Sequence, residues 1–107
     1  MFDVNRLYEL MFKDIVTPFN LIENAKLDNY YYVKYYTLKE YFVSEMKCSI
    51  SENDIRIFYY CFDKDNKLQR IYQKDISGKK TLLFDRKNEI SKIKSNISKD
   101  KIQELIS

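Results

Sequence analysis

One glycine, Gly78, and one proline, Pro18, punctuate the whole chain of 107 residues. Residues that break regular structure are therefore scarce. Collagen-like repeats, Gly-rich linkers and Pro-rich arms are excluded. A lone glycine also leaves no P-loop and no dinucleotide-binding fingerprint. Hydrophobic residues make up 45% of the chain and charged residues 33%, enough for a buried core. The length fits a single domain spanning residues 1–107.

The chain contains no His and no Trp. Without imidazole, Ser-His-Asp and Cys-His catalysis are excluded, as are deaminase and metalloprotease zinc sites. Cys48 and Cys61 are too far apart in sequence for a CxxC motif and are expected to be reduced core thiols. The carboxylate pairs Asp63/Asp65 and Glu52/Asp54 are explained by a turn and a helix cap, and no nucleophile–base pair is present. The expectation is a protein that is not an enzyme and takes no cofactor, metal or small-molecule ligand. Met1-Phe2-Asp3 lacks the basic region of a secretory signal, and no apolar run approaches the ~20 residues that span a bilayer. A cytoplasmic protein without a membrane partner is expected.

Read in order, the chain alternates between helical and extended patterns. Val4, Leu7, Tyr8, Met11, Phe12 and Ile15 have the spacing of an amphipathic helix capped by Asp3. Pro18 stops it near Val16, and Thr17-Pro18 opens a short second helix through Phe19–Lys26. Tyr30–Tyr36 reads as a strand. Tyr31, Val33 and Tyr35 face one way, and Tyr30, Tyr32, Lys34 and Tyr36 face the other. Thr37-Leu38-Lys39-Glu40 fits a capping box, followed by an apolar stripe of Leu38, Tyr41, Phe42 and Met46 that ends near Lys47. Cys48–Ile50 makes a short turn. Ser51-Glu52-Asn53-Asp54 starts a further helix, with Ile55, Phe58, Tyr59 and Phe62 as its buried stripe. Asp63–Asn66 is a polar turn, Leu68–Gln73 a strand, Asp75–Lys79 a hairpin turn around Gly78, and Thr81–Phe84 the returning strand. A final helical region carries Ile90, Ile93 and Ile97. Its register then shifts to Ile102, Leu105 and Ile106, so that Ser98 caps a separate last helix.

The stretch Thr37–Met46, the turn Lys47–Ile50, the helix Ser51–Phe62 and the hairpin 68–84 together resemble a winged helix-turn-helix domain. The resemblance covers about half the chain directly. It implies an α+β winged helix-turn-helix fold: helical, with a β-hairpin wing and flanking N- and C-terminal helices. One departure is the absence of a glycine in the turn. The heavy use of Lys, Ile, Tyr and Asn looks like mobile-element proteins of low-GC Gram-positive bacteria, clostridia included. Winged-helix proteins of this size are similar to phage and plasmid repressors, and to accessory proteins that mark an origin of transfer on a conjugative plasmid.

Charge sharpens what the resemblance implies. Residues 1–63 carry 7 Lys/Arg against 10 Asp/Glu, whereas residues 64–87 carry 8 against 3. Such a basic stretch attracts a polyanion. On the wing, Lys67, Arg70, Lys74, Ser77, Gly78, Lys79 and Lys80 are the expected DNA contacts. On the expected recognition helix they are Asn53, Arg56 and Tyr60, although Glu52 and Asp54 at its start oppose phosphate. The expected function is wing-led, sequence-specific binding of double-stranded DNA. Expected companions are other DNA-processing proteins and a homodimer through the C-terminal helical region. Two readings compete. The acidic first half and the Tyr30–Tyr36 run suit a protein-binding inhibitor module. Tyrosines beside basic residues suit a single-strand binder.

Overall fold

The four places where the backbone turns left-handed organise the chain. Among the residues described in the computed structural model, 16–106 with side chains through residue 96, φ is positive at Lys39 (56°), Asn53 (63°), Asn66 (63°) and Gly78 (90°). Each of the four lies in a turn between consecutive strands: β1 (Tyr30–Leu38), β2 (Tyr41–Ser51), β3 (Asp54–Phe62), β4 (Leu68–Lys74) and β5 (Lys80–Asp85). All neighbours pair antiparallel, so the sheet is a meander in the order β1-β2-β3-β4-β5. Before it come a short helix α1 (Pro18–Leu21) and a 3-10 turn at Ile22–Lys26. After it comes a helix α2 (Arg86–Ile106) of 21 residues, about 31 Å long at 1.5 Å per residue.

This architecture overturns the winged helix-turn-helix reading. Tyr41–Ser51 and Asp54–Phe62, expected as the two helices of that motif, are strands β2 and β3. Both carry apolar side chains on both faces. Phe42, Met46 and Cys48 lie on one side of β2, with Val43 on the other. Phe58, Tyr60 and Phe62 lie on one side of β3, with Ile55, Ile57 and Tyr59 on the other. A segment apolar on both sides satisfies an i, i+3, i+4 template by coincidence, while its β-branched and aromatic content favours a strand. The two expected capping boxes are hairpin turns, with Lys39 and Asn53 in the left-handed conformation. Ser, Thr, Asn and Asp serve both roles because their side chains satisfy nearby backbone groups in either.

Other expectations hold in position. Thr17 caps α1 reciprocally with Asn20, and Pro18 occupies its first turn. The Tyr30–Tyr36 strand and the hairpin around Gly78 are present. α2 runs unbroken through Ser98, so no separate last helix begins there. The expected first helix, Asp3 through Ile15, lies outside the described residues.

The last two turns share one construction. In Asp63-Lys64-Asp65-Asn66-Lys67, the Asp63 carboxylate accepts from the amides of Asp65 and Lys67. In Asp75-Ile76-Ser77-Gly78-Lys79, the Asp75 carboxylate accepts from the amides of Ser77 and Lys79. Asn66 and Gly78 donate their amides back to the first carbonyl of each turn at 3.0 Å. This is the three-residue hairpin that ends on a left-handed residue.

One sheet face carries the core. Leu21, Met46, Phe62 and Leu68 are buried together, with Val16, Tyr30, Val33, Phe42, Tyr60, Ile71 and Phe84 packed around them. α1 is held to this face by the Tyr35 hydroxyl, which donates to the Pro18 carbonyl at 2.7 Å, and Tyr35 stacks on Phe42. Asp85 ends β5 and accepts from the Asn88 amide at the start of α2. The buried Arg86 then donates to the Leu68 carbonyl at 3.3 Å. The opposite face of the sheet is lined by polar aromatics and cations.

Candidate functional site

Strand alternation arranges that second face into rows that run across the sheet. The ladder pairs Lys34 with Glu45, Glu45 with Tyr59, Tyr59 with Tyr72 and Tyr72 with Leu82. One step along the strands, it aligns Tyr32, Lys47, Ile57, Lys74 and Lys80. One step the other way lie Tyr36, Val43, Cys61, Arg70 and Asp85. Cations and tyrosine rings therefore interleave in two dimensions.

Their contacts are direct. The Lys80 Nζ sits 4.5 Å from the Tyr72 ring centroid and 5.2 Å from that of Tyr59. Lys34 lies 5.3 Å from the Tyr32 ring, and Lys47 lies 5.5 Å from the Tyr31 ring. Cations at these distances are drawn to the negative ring face. A cleft of about 290 Å³ opens among Tyr36, Tyr41, Tyr59, Tyr72, Arg70 and Lys80, with Val43 and Cys61 also in its wall. A second cleft, on the core side, is lined by Pro18, Phe19, Ile22, Tyr35 and Phe42 and carries no charge.

Glu45 is the acidic centre of the face. Its carboxylate accepts from the Tyr32 hydroxyl at 2.7 Å and the Tyr36 hydroxyl at 2.9 Å, and pairs with Lys34 at 3.3 Å. Burial pushes this carboxyl up, but the two hydroxyls and the ammonium more than offset it and hold it below its ordinary value. The same arrangement, with burial as the larger cause, pushes the Tyr32 hydroxyl up to about 12 and raises that of Tyr36 further. Both phenols stay neutral donors at any physiological pH. Arg70 pairs with Asp85 at 3.3 Å. Burial raises the Cys61 thiol despite nearby Lys80 and Arg70, so it is protonated and a weak nucleophile. Cys48 and Cys61 are both buried, on opposite faces of the sheet, and form no disulfide. Among the described residues, no three His, Cys, Asp or Glu side chains group in a way that could hold a metal ion, and no helix is long and apolar enough to cross a membrane.

The expected contact residues divide. Arg70, Lys74 and Lys80 lie on the tyrosine-bearing face. Ser77, Gly78 and Lys79 form the exposed tip of the β4–β5 hairpin, and Lys67 closes the β3–β4 turn. The three residues assigned to a recognition helix do not join them. Asn53 is in the β2–β3 turn. Arg56 forms a two-bond ion pair with Asp54 on the core-side face. Tyr60 packs against the core. Sequence reasoning places Lys34 on the open side of β1 but misses Glu45, Lys47, Tyr59 and Tyr72 as members of this face. Glu45, Lys47 and Tyr59 lie on β2 and β3, where side chains apolar on both faces fit a helical template, and Tyr72 lies on β4, where the sequence shows the strand but not its partner across the ladder. Within β1 a bulge between Tyr30 and Tyr32 reverses two expectations. Tyr30 turns to the core, and Tyr31 stands 60% exposed beneath Lys47.

No protein-family model, curated protein or solved structure matches the chain.

Proposed function

We propose that the chain binds single-stranded nucleic acid on the tyrosine-bearing face of its sheet and catalyses no reaction. The observation that carries this reading is the Tyr59–Tyr72 pair with Lys80 against both rings. A ring face offers a base a stacking surface, and the ammonium beside it offers a phosphate its counter-charge. Stacking of this kind is worth about 1–3 kcal/mol per base. Bases inside a duplex are already stacked on each other, so a flat aromatic surface selects an unpaired strand. Lys80 shifts from the rings to a phosphate as the base arrives. The basic hairpin thus keeps the polyanion-binding role read from its sequence, while the Ser51–Phe62 segment, as a strand, offers no helix for a major groove.

The test is fluorescence anisotropy with one labelled sequence presented as a single strand and as a duplex, over a salt series. Single-strand binding at least tenfold tighter, weakened by Tyr72→Ala, is the expected result. Equal or tighter duplex binding would replace this reading with duplex recognition by the hairpin. Failure of both forms to bind at low salt would replace it with a protein partner for the half-buried tyrosines of this face.

A further inference from the structure

Resting on the single-strand reading, we infer that the strand crosses the sheet at right angles to β1–β5. Its phosphates lie along the Lys47–Lys74–Lys80 row, its bases lie over the Tyr59–Tyr72 row, and its footprint is about four nucleotides. Not every cation on this face is free to meet phosphate. In the row containing Arg70, that guanidinium is paired with Asp85 at 3.3 Å. In the row containing Lys34, that ammonium is paired with Glu45 at 3.3 Å. The row Tyr32–Lys47–Ile57–Lys74–Lys80 contains no carboxylate. Its lysines touch tyrosine rings or solvent and form none of the ion pairs found among the described residues.

Direction follows from the same geometry. Along β2, a phosphate chain would leave Lys47 and meet Glu45 one step later. Along β3 it would meet only Ile57, Tyr59 and Cys61. Across the strands it meets Lys47 on β2, Lys74 on β4 and Lys80 on β5, and Asp75, the acid lining a separate cleft beside Lys47 and Lys74, has its carboxylate engaged by the Ser77 and Lys79 amides. Three inter-strand steps of about 4.8 Å separate β2 from β5, giving a track of about 14 Å. One phosphate at each of the three lysines makes three phosphates, which link four nucleotides. The tyrosine row lies two residues along each strand, about 6.7 Å to one side. A base attached to a phosphate on the lysine row therefore reaches Tyr59 or Tyr72 by pointing sideways.

The experiment combines single substitutions with a length series. Lys47→Ala, Lys74→Ala and Lys80→Ala are compared with Lys39→Ala, which removes a cation at the far end of the cleft, in the β1–β2 turn. The probes are fluorescein-labelled oligothymidylates of two to twelve nucleotides, measured by anisotropy from 50 mM to 1 M salt. Each row lysine should contribute about 0.7 to the log–log salt slope. Over that twentyfold range of salt, this is about eightfold in affinity at the low end. Lys39→Ala should leave the slope unchanged, and affinity should stop rising near four nucleotides. Circular dichroism of each variant confirms that it is folded. If Lys39→Ala lowers the slope as much as Lys74→Ala while Lys47→Ala does nothing, the strand runs lengthwise through the cleft. The path is then wrong and the single-strand reading stands. If wild type binds the twelve-nucleotide probe but affinity keeps climbing past eight, the footprint is wrong. If wild type binds none of the probes, both fall.

Discussion

Phe62 and Tyr59 lie three residues apart on β3 and point to opposite faces of the sheet. Phe62 is completely buried in the core, and Tyr59 is half-buried under Lys80. Truncating Phe62 to Ala leaves a cavity among Leu21, Met46 and Leu68 and should cost about 3–5 kcal/mol. Truncating Tyr59 to Ala removes part of one ring's burial and a cation contact on an open face, about 1–2 kcal/mol together. Urea denaturation followed by far-ultraviolet circular dichroism measures both. With a slope of about 2 kcal/mol per molar urea, the two midpoints should separate by about 1 M. In binding the order reverses. Tyr59→Ala should lose about 1–3 kcal/mol of single-strand affinity, roughly fivefold to more than a hundredfold, while folded Phe62→Ala retains it. On a helix these two residues would share one buried stripe. Equal destabilisation, with binding unaffected by either, would refute the strand assignment and the two-faced sheet built on it.

Three further outcomes are expected. The Ser44 hydroxyl is fully buried beside the Tyr35 hydroxyl and makes no well-formed hydrogen bond, so Ser44→Ala should leave stability within about 1 kcal/mol of wild type in the same urea assay. Glu45 ionises in the folded protein below its ordinary value of 4.5, so its carboxylate stabilises the fold above the unfolded value, and that contribution is lost as pH falls through the folded one. Stability measured from pH 6 down to pH 3 should therefore decline less steeply in Glu45→Gln than in wild type. Gly78 has φ of 90° and open space where a side-chain methyl would stand, so Gly78→Ala should cost about 1 kcal/mol from backbone strain alone, and Gly78→Asn less.

Several elements are legible because one local interaction decides them. Pro18 after Thr17 starts a helix whatever packs on it, and Gly78 relieves a left-handed turn wherever the hairpin sits. In β1 the alternation of Val33 and Tyr35 against Tyr32, Lys34 and Tyr36 separates a core side from an open side. The sequence holds a further signal. Asp63-x-x-Asn66-Lys67 and Asp75-x-x-Gly78-Lys79 are the same turn twice, twelve residues apart, and the first demands a strand before it as plainly as the second.

β2 and β3 are not legible in the same way. Their side chains are apolar on both faces, one turned to the core and the other flooring the cleft, so neither period stands out in the sequence. Thr37–Glu40 and Ser51–Asp54 carry residues that cap helices and close hairpins equally well, and only pairing with neighbouring strands distinguishes the two. The sequence by itself determined the basic hairpin, the short Pro18 helix, the helical character of the C-terminal region though not its continuity through Ser98, and a chain without imidazole chemistry. Tertiary structure alone decided which tyrosines meet which lysines. A strand's side chains alternate with a period of two, so the β1 bulge and the ladder register send Tyr30 and Tyr60 to the core and leave Tyr59 and Tyr72 beside Lys80.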